Sequence, residues 1–298
     1  MNLSTEKTYR ALATGGWSLD IDYWIDVLLR ASTIKQSIIG ILLATLFAGR
    51  ASAQFPTYRP GREFRSLNTE LYEIAIQKNG RVDVALANGE LIFENVFPMV
   101  WFEGEDAAEK LQVDGRWGGR FAVDDKLGRG NGVVIAHKST EWALRVYPSQ
   151  PFFAVQVAYT NTTKKAVRVR ALLPWCVGPE TKGALHLGPG DLITPEGEPL
   201  HDISLANRPL IFARGQSGRV FVAAFITAGQ GLGQIDASDR DASGAMHVFR
   251  AATIFDPPVT VEPGAKIKSE VLYLAFAETD IDKAIERLGR KVSDVSGK

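Results

Sequence analysis

Hydrophobic and polar positions alternate through residues 132–175, in the four runs GVVIAHK, EWALRVY, FFAVQVAYT and VRVRALLPW. Such alternation is typical of β-strands that bury one face and expose the other. In the third run the apolar face is predicted to hold Phe153, Val155, Val157 and Tyr159. In the fourth run it is predicted to hold Val167, Val169, Ala171 and Leu173, with Arg168 and Arg170 opposite. The pattern predicts a meander of antiparallel strands that a second sheet must cover.

Two Asn-Gly pairs, at Asn79 and Asn88, separate alternating runs in residues 71–96 and predict a three-stranded meander. Residues 98–131 lose this regularity and are predicted to be a long connection with short strands, where function usually lies. Strands are expected again at 210–213, 220–227, 245–251 and 267–276, with breaks at 256–258 and 262–264. The sequence therefore predicts an all-β protein with two large antiparallel sheets.

One helix is expected, at the C-terminus. Asp280 is placed to cap its first turn, and an apolar stripe follows at helical spacing: Ile281, Ala284, Ile285 and Leu288. The predicted organisation is an export signal with an atypical N-terminal extension in residues 1–53, a β domain in 54–278, and the helix with its tail in 279–298.

The export signal is predicted from a short apolar run, residues 38–48, that follows Arg30 and Lys35. The small residues Ala51 and Ala53 provide a signal-peptidase pattern, so cleavage is expected after Ala53. The run is shorter than the ~20 residues of a membrane span. We therefore expect a periplasmic or secreted protein with no membrane contact after cleavage. Residues 1–28 are acidic and aromatic, unlike a signal peptide, which favours a start codon downstream of Met1.

Composition narrows the functional classes. The 298 residues include 34 basic and 34 acidic side chains, and this balance argues against a nucleic-acid partner, which normally requires a basic face. The single cysteine, Cys176, excludes an intramolecular disulfide, and we interpret it as an inert buried thiol. The repeats at Gly128, Gly130 and Gly132 and at Gly229, Gly231 and Gly233 resemble phosphate loops, but neither precedes a helix, so they are interpreted as turns.

The run LRVYPSQPFFAVQVAYTNTTKKAVRVRALLPW, preceded by Gly130-x-Gly132, resembles the N-terminal domain of family 36 glycoside hydrolases, the α-galactosidases and relatives of raffinose synthase. The strand VAAFIT at residues 222–227 and the ending YLAFAETDIDKAIERLG are similar to later signatures of that domain. Together these motifs span most of residues 68–293. The resemblance implies a β-supersandwich of the galactose-mutarotase type. It places the nucleophile and acid/base on a following barrel, which the sequence given, ending at Lys298, does not include.

The resemblance also implies where sugar is contacted. In the family, loops of this domain reach a catalytic pocket, often that of a neighbouring subunit, and an acidic residue and a Trp touch the sugar. The corresponding candidates are Trp101, Asp114, Arg116, Trp117, Asp124 and Asp125. An indole stacks on the C–H face of a pyranose, while carboxylates and arginine bind its hydroxyls. The alternative is a Trp101 in the core and solvated charges in the loop.

An epimerase on the same fold would need a histidine and a carboxylate for proton transfer. His137 and His247 lie in predicted strands and are interpreted as structural. The second candidate cluster therefore lies in a Gly/Pro-rich loop: His186, Glu196, Glu198, His201 and Asp202. The cluster lacks the spacing of known metal motifs, and neither a metal nor a cofactor is predicted.

Three functions remain open from the sequence. The first is a carbohydrate-associated accessory domain that binds or positions an α-galactoside and does not hydrolyse it alone. The second is a free-standing aldose-epimerase-like enzyme, and the third is a structural or assembly sandwich without a ligand. Carbohydrate, a catalytic barrel domain and a second copy of the chain are the partners considered.

Overall fold

The computed structural model describes residues 63–188, 192–199, 202–214 and 218–296. The predicted export signal and His201 lie outside the described residues. The strands are β1 (Glu63–Asn68), β2 (Tyr72–Gln77), β3 (Val82–Leu86), β4 (Leu91–Phe102), β5 (Glu109–Lys110), β6 (Asp114–Asp125), β7 (Gly128–His137), β8 (Thr140–Val146), β9 (Phe152–Thr160), β10 (Val167–Val177), β11 (Ala184–His186), β12 (Leu192–Ile193), β13 (Ile203–Ala206), β14 (Leu210–Arg214), β15 (Val220–Phe225), β16 (Leu232–Arg240), β17 (Ala245–Val261), β18 (Lys266–Lys268) and β19 (Leu272–Glu278). The helix α1 (Ile281–Ser296) follows.

The described strands form two antiparallel sheets. One has ten strands in the order β1-β2-β3-β4-β10-β17-β16-β13, with β11 beside β17 and β4 and with β5 beside β4. The other has nine strands in the order β12-β14-β15-β19-β9-β8-β7-β6, with β18 beside β9. The predicted all-β sandwich with a C-terminal helix is confirmed. Strands β1 and β6 are edge strands of different sheets, and their position matters for the site below.

The core between the sheets is centred on aromatic side chains. The rings of Phe153, Phe93 and Trp142 each lie within 6 Å of the Trp175 ring, at centroid distances of 5.3, 5.3 and 5.9 Å. The Trp142 indole also donates to the carbonyl oxygen of Pro174 (2.9 Å). Trp142 and Phe153 belong to the nine-strand sheet and the other two to the ten-strand sheet. These contacts fix the two sheets face to face.

Both Asn-Gly pairs form the predicted hairpins. Gly80 and Gly89 adopt φ of 79° and 83°, a left-handed conformation that glycine accepts without steric cost. The hairpins join β2 to β3 and β3 to β4. This part of the prediction is confirmed, because a turn signal and the alternating runs beside it are local features.

The central meander is confirmed for β7, β8 and β9 but wrong for β10. Strands β7 to β9 are neighbours in the nine-strand sheet, whereas β10 crosses to the other sheet and pairs with β4 and β17. The turn before β10 is built on Asn161, which is fully buried. Its side-chain amide donates to the carbonyl oxygens of Lys165 and Val261, each at 2.8 Å. This turn therefore carries the chain from one sheet to the other.

The apolar face predicted for β10 is also wrong. Val167 and Val169 pack with the central core, whereas Ala171 and Leu173 belong to a small cluster on the opposite face of the sheet. The pairing register of β10 shifts between Val169 and Ala171 against both neighbours. A β-bulge of this kind moves every later side chain to the other face. The strict alternation of side chains between the two faces of the sheet therefore fails at the bulge.

Residues 98–131 form regular strands, which contradicts the predicted long connection. Strand β4 continues to Phe102, and β6 and β7 form a hairpin of 12 and 10 residues. The alternation is missing from β6 because residues 116–122 are all exposed, as expected of an edge strand with little packed against it. Strand β17 likewise runs through the predicted break at 256–258, and the prolines lie in a bulge opposite Val169 and Ala171.

The turn before β16 is organised around the buried carboxylate of Glu270, which is 2% exposed. Backbone N–H groups of Gly229 (2.7 Å), Gln230 and Gly231 (3.1 Å) donate to its Oε1. The Thr227 hydroxyl donates to Oε2. The interpretation as turns holds for Gly229 and Gly231 but is wrong for Gly233, which lies in β16, and for Gly128, Gly130 and Gly132, which lie in β7. The turn at Gly229 and Gly231 is also an anion nest. Its anion is a side chain of the same protein.

Helix α1 begins as predicted. Asp280 Oδ1 accepts from the backbone N–H groups of Asp282 (3.1 Å) and Lys283 (3.2 Å), as an N-cap does. Ala284 and Leu288 are buried in a cluster on the outer face of the nine-strand sheet. Near the other end of α1, Lys126 donates to the carbonyl oxygen of Val295 (2.9 Å). The helix thus covers this sheet and reaches the β6–β7 turn. Within the described residues, no helix has the length and apolar character of a membrane span.

Candidate functional site

The six candidates of the first set lie in three separate places. Trp101 is in β4 of the ten-strand sheet, and the others are in β6 of the nine-strand sheet. The Trp101 indole donates to the carbonyl oxygen of Glu105 (2.8 Å), and the Arg170 guanidinium lies 4.5 Å from its ring centre. The protein therefore engages the N–H and one ring face of Trp101, which lies apart from the candidates in β6.

Asp124 and Asp125 lie at the far end of β6. Seven residues of regularly paired strand separate Asp125 from Gly118, or about 23 Å at ~3.3 Å per residue. Asp125 accepts from the Tyr147 hydroxyl (2.9 Å) and from its own turn at the Leu127 N–H (2.9 Å). Asp124 lies 3.6 Å from Arg129, and both side chains are exposed. Asp125 therefore stabilises the β6–β7 turn, and Asp124 lies beside it in solvent.

Asp114, Arg116 and Trp117 do form a group, and a bulge creates it. Pairing of β6 with β7 steps from Asp114 opposite Ala136 directly to Gly118 opposite Ile135. Residues 115–117 have no partner across the ladder and bulge outward. Trp117 is 64% exposed. Full burial of a large apolar side chain is worth about 1.5–3 kcal/mol, and the fold forgoes most of that gain at this position.

Two glycines allow the bulge to dock. A Cβ at Gly115 would lie 2.2 Å from the carbonyl oxygen of Gln77, and one at Gly118 would lie 1.8 Å from that of Val134. Gly118 also has φ of 107°, which side chains with a Cβ rarely adopt. Bulges that re-aim a side chain are common next to functional sites. Gly115 and Gly118 flank Trp117, and together they fix the position at which the bulge presents its indole.

The polar groups of the bulge are held in place. Arg116 donates to Asp114 through Nε (3.1 Å) and Nη2 (2.6 Å). Hydrogen bonds from Arg116 hold the pKa of Asp114 down to about 2. The carboxylate is therefore ionised at neutral pH. From the facing edge strand β1, Arg65 donates to the carbonyl oxygen of Arg116 (3.3 Å). An ion pair with fixed geometry thus lies one residue from an exposed indole.

The second candidate set is not brought together around His186. His186 lies in β11, and its Nε2 is 3.2 Å from Oε2 of Glu94 in β4. The hydrogen bond with His186 lowers the pKa of Glu94. Glu196, Glu198 and Asp202 are exposed, and His201 lies outside the described residues. The side chain of His186 is 13% exposed, beside a cavity of about 20 Å³ with largely apolar walls.

Burial raises the pKa of the Cys176 thiol to about 12, so this cysteine is a poor nucleophile at neutral pH. In the described part of the chain, no three His, Cys, Asp or Glu side chains are grouped so that they could hold a metal ion.

Sequence reasoning missed Arg65, Gly115, Gly118 and Phe121 as parts of this region. The glycines beside Trp117 were the available signal, since glycine inside a strand often marks a bulge. No sequence signal links Arg65 to Arg116, because that contact joins edge strands of two different sheets.

Comparisons with known proteins give a fold but no family assignment. No protein-family model matches the sequence, and no curated protein matches it. Among solved structures, an α-galactosidase from Lactobacillus brevis is 12% identical with a TM-score of 0.51, and the match covers 72% of this chain and 39% of that one. An α-galactosidase from Geobacillus stearothermophilus is 10% identical with a TM-score of 0.48, and the match covers 72% of this chain and 40% of that one. A putative aldose 1-epimerase from Escherichia coli is 11% identical with a TM-score of 0.43, and the match covers 71% of this chain and 97% of that one.

The Lactobacillus brevis match shows that this chain has a β-sandwich fold also found in α-galactosidases. The resemblance to family 36 glycoside hydrolases is thereby confirmed at the level of fold. The match spans about two fifths of that enzyme.

Proposed function

We propose that this protein is a carbohydrate-binding accessory domain that positions an α-galactoside at Trp117 and does not hydrolyse it alone. One observation carries the proposal. A β-bulge fixed by two glycines presents an indole that is 64% exposed, beside a preformed Asp114–Arg116 pair. The α-galactosidase-like fold supports the choice of sugar.

The chemistry of the bulge suits a pyranose. An exposed indole offers a flat apolar face to the C–H side of the ring, and the adjacent carboxylate and guanidinium offer an acceptor and several donors to its hydroxyls. Because the ion pair already exists in the free protein, binding requires little ordering of these side chains, which favours affinity.

The carboxylate geometry supports binding without hydrolysis. Retaining hydrolysis uses two carboxyl groups about 5 Å apart, and inverting hydrolysis uses a wider pair that faces a water. Asp114 and the Asp124–Asp125 pair lie at opposite ends of β6 and are each bound to other protein groups. We therefore expect cleavage of a bound glycoside to require a separate catalytic domain.

We expect Trp117→Ala to weaken binding of methyl α-galactoside by about 30-fold or more, because loss of a Trp anchor costs about 2 kcal/mol or more. Titration calorimetry measures the affinity. Trp117→Phe keeps a flat ring and should retain most of it. Since Trp117 is exposed, both variants should unfold within about 0.5 kcal/mol of the wild type. The proposal fails if the wild type binds no α-galactoside, or if Trp117→Ala binds as tightly.

Aldose epimerisation on the same fold would centre on His186 and Glu94. Their 3.2 Å contact places a histidine beside a carboxylate, but the adjacent cavity of about 20 Å³ has no room for a pyranose. We expect the protein not to accelerate anomer exchange of galactose or glucose above the buffer rate, measured by NMR. Acceleration that disappears in His186→Ala would establish the epimerase function instead.

A further inference from the structure

Strand β6 carries a second exposed aromatic side chain. In the described part of the chain, Trp117 and Phe121 are the two large hydrophobic residues that are exposed, at 64% and 36%. Both belong to the same edge strand, four residues apart, which is at most about 13 Å at ~3.3 Å per residue. A single pyranose ring is too small to contact both side chains.

The Phe121 ring is held flat against the sheet. Phe121 is paired with Gly132 of β7. A Cβ at Gly132 would lie 2.2, 2.5 and 2.7 Å from three carbons of the Phe121 ring. Three nearly equal distances place the ring face over the glycine backbone. The protein therefore covers one face of Phe121, and the opposite face accounts for its exposure.

A polar groove lies on the other face of β6. Phe121 shares the outer face with Val123, whereas Asn131 of the groove is paired with the core residue Val146. The groove has a volume of about 530 Å³ and lies where β1 and β6 face each other across the open side of the sandwich. Its lining includes Ser66, Asn68, Arg120, Phe121, Asn131 and Gly132. Arg120 crosses it and donates through Nη2 to the carbonyl oxygen of Ser66 (3.0 Å). Two amide side chains, a hydroxyl and a guanidinium provide both donors and acceptors.

The groove and the Trp117 bulge occupy neighbouring stretches of β6. Arg120 is three residues from Trp117 on the same strand, and the Arg65–Arg116 contact bridges β1 and β6 at the bulge just as the Arg120–Ser66 contact does in the groove. A ligand bound along this edge would have the indole at one end and the Phe121 ring at the other, with the polar groove on the inner side of the strand.

We propose that β6 binds an oligosaccharide along its exposed edge, with one sugar on Trp117 and another on Phe121. The inference rests on the proposed sugar-binding function and adds the class of ligand. Two exposed flat rings spaced along one edge strand fit a chain of pyranoses, because each unit has an apolar C–H face and a hydroxyl rim.

A structural role for Phe121 predicts something different. An aromatic ring over a glycine in a neighbouring strand also stabilises a sheet, by covering exposed backbone. In that role any bulky apolar side chain serves, whereas stacking on a sugar requires a flat ring. Phe121→Leu therefore separates the two roles, and Phe121→Trp is its matched control.

The test compares methyl α-galactoside, raffinose and a tetrasaccharide extended by one further α-galactosyl unit, by calorimetry on the full chain. We expect the wild type to bind the tetrasaccharide at least tenfold more tightly than the monosaccharide. Phe121→Leu should lose that advantage, about tenfold or 1.4 kcal/mol, with unchanged monosaccharide affinity. Phe121→Trp should keep it. Trp117→Ala should weaken binding of all three probes.

Two results would overturn the inference and leave the proposed function intact. One is equal affinity of the wild type for the monosaccharide and the tetrasaccharide. The other is full tetrasaccharide affinity in Phe121→Leu with an unchanged unfolding midpoint. A wild type that binds none of the probes overturns both proposals. Sedimentation at the same concentrations gives a further check, because a dimer that dissociates in Phe121→Leu would make this edge an interface between two copies and overturn the oligosaccharide site.

Discussion

Replacing Glu270 by Gln is expected to lower the free energy of unfolding by about 3 kcal/mol or more. The Glu270 carboxylate is 2% exposed and accepts from three backbone N–H groups and the Thr227 hydroxyl. Bonds to a charged acceptor are about twice as strong as neutral ones. The Gln amide would remove the charge and turn an NH₂ donor toward other donors, and a buried donor without an acceptor is costly.

The measurement is urea unfolding followed by tryptophan fluorescence, since Trp142 and Trp175 are buried in the core. Glu262→Gln is the matched control, because Glu262 is exposed in a nearby turn and should change stability by less than about 0.5 kcal/mol. Equal losses in the two variants would contradict the role of Glu270. If Glu270→Gln does not fold, Thr227→Val provides a milder change that removes one donor, with an expected loss of about 1–2 kcal/mol.

The second large effect is expected at Gly118. Gly118→Ala would place a Cβ 1.8 Å from the carbonyl oxygen of Val134, at a residue whose φ is 107°. The bulge must rearrange to relieve this contact, at a cost of about 2 kcal/mol or more. Because the bulge orients Trp117, sugar affinity should fall together with stability.

Gly119→Ala is the neighbouring control. A Cβ at Gly119 meets nothing within 4 Å, so this variant should match the wild type in both stability and affinity. Calorimetry with methyl α-galactoside and urea unfolding measure the two quantities. If the two alanine variants behave alike, the Gly118 conformation does not control Trp117, and the site would need another explanation.

The architecture followed from local features of the sequence. The Asn-Gly hairpins, the strands β7 to β9, and the cap and buried stripe of α1 are each specified by residues close in the chain. Residues 98–131 were mispredicted for the opposite reason. An edge strand such as β6 buries little of either face, so hydrophobic and polar residues do not alternate along its sequence.

The candidate site followed from the sequence only in part. A Trp between carboxylates, arginine and glycines pointed to residues 114–117, but Trp101, Asp124 and Asp125 were grouped with them only because they are close in sequence. The structure separates them, since β4 and β6 belong to different sheets and Asp124 and Asp125 lie at the far end of β6 from the bulge. Conversely, the groove exists only because β1 lies beside β6 in the folded structure.

The sequence by itself determined that this chain forms antiparallel strands with one capped helix, because turns, caps and alternation depend on neighbours within a few residues. Tertiary structure decided which sheet each strand joins, where bulges reverse a face, and that Trp117 projects outward. Those outcomes depend on contacts between segments that are distant in the chain, such as the close approach of Gly118 to Val134 and the hydrogen bond from Arg65 to Arg116.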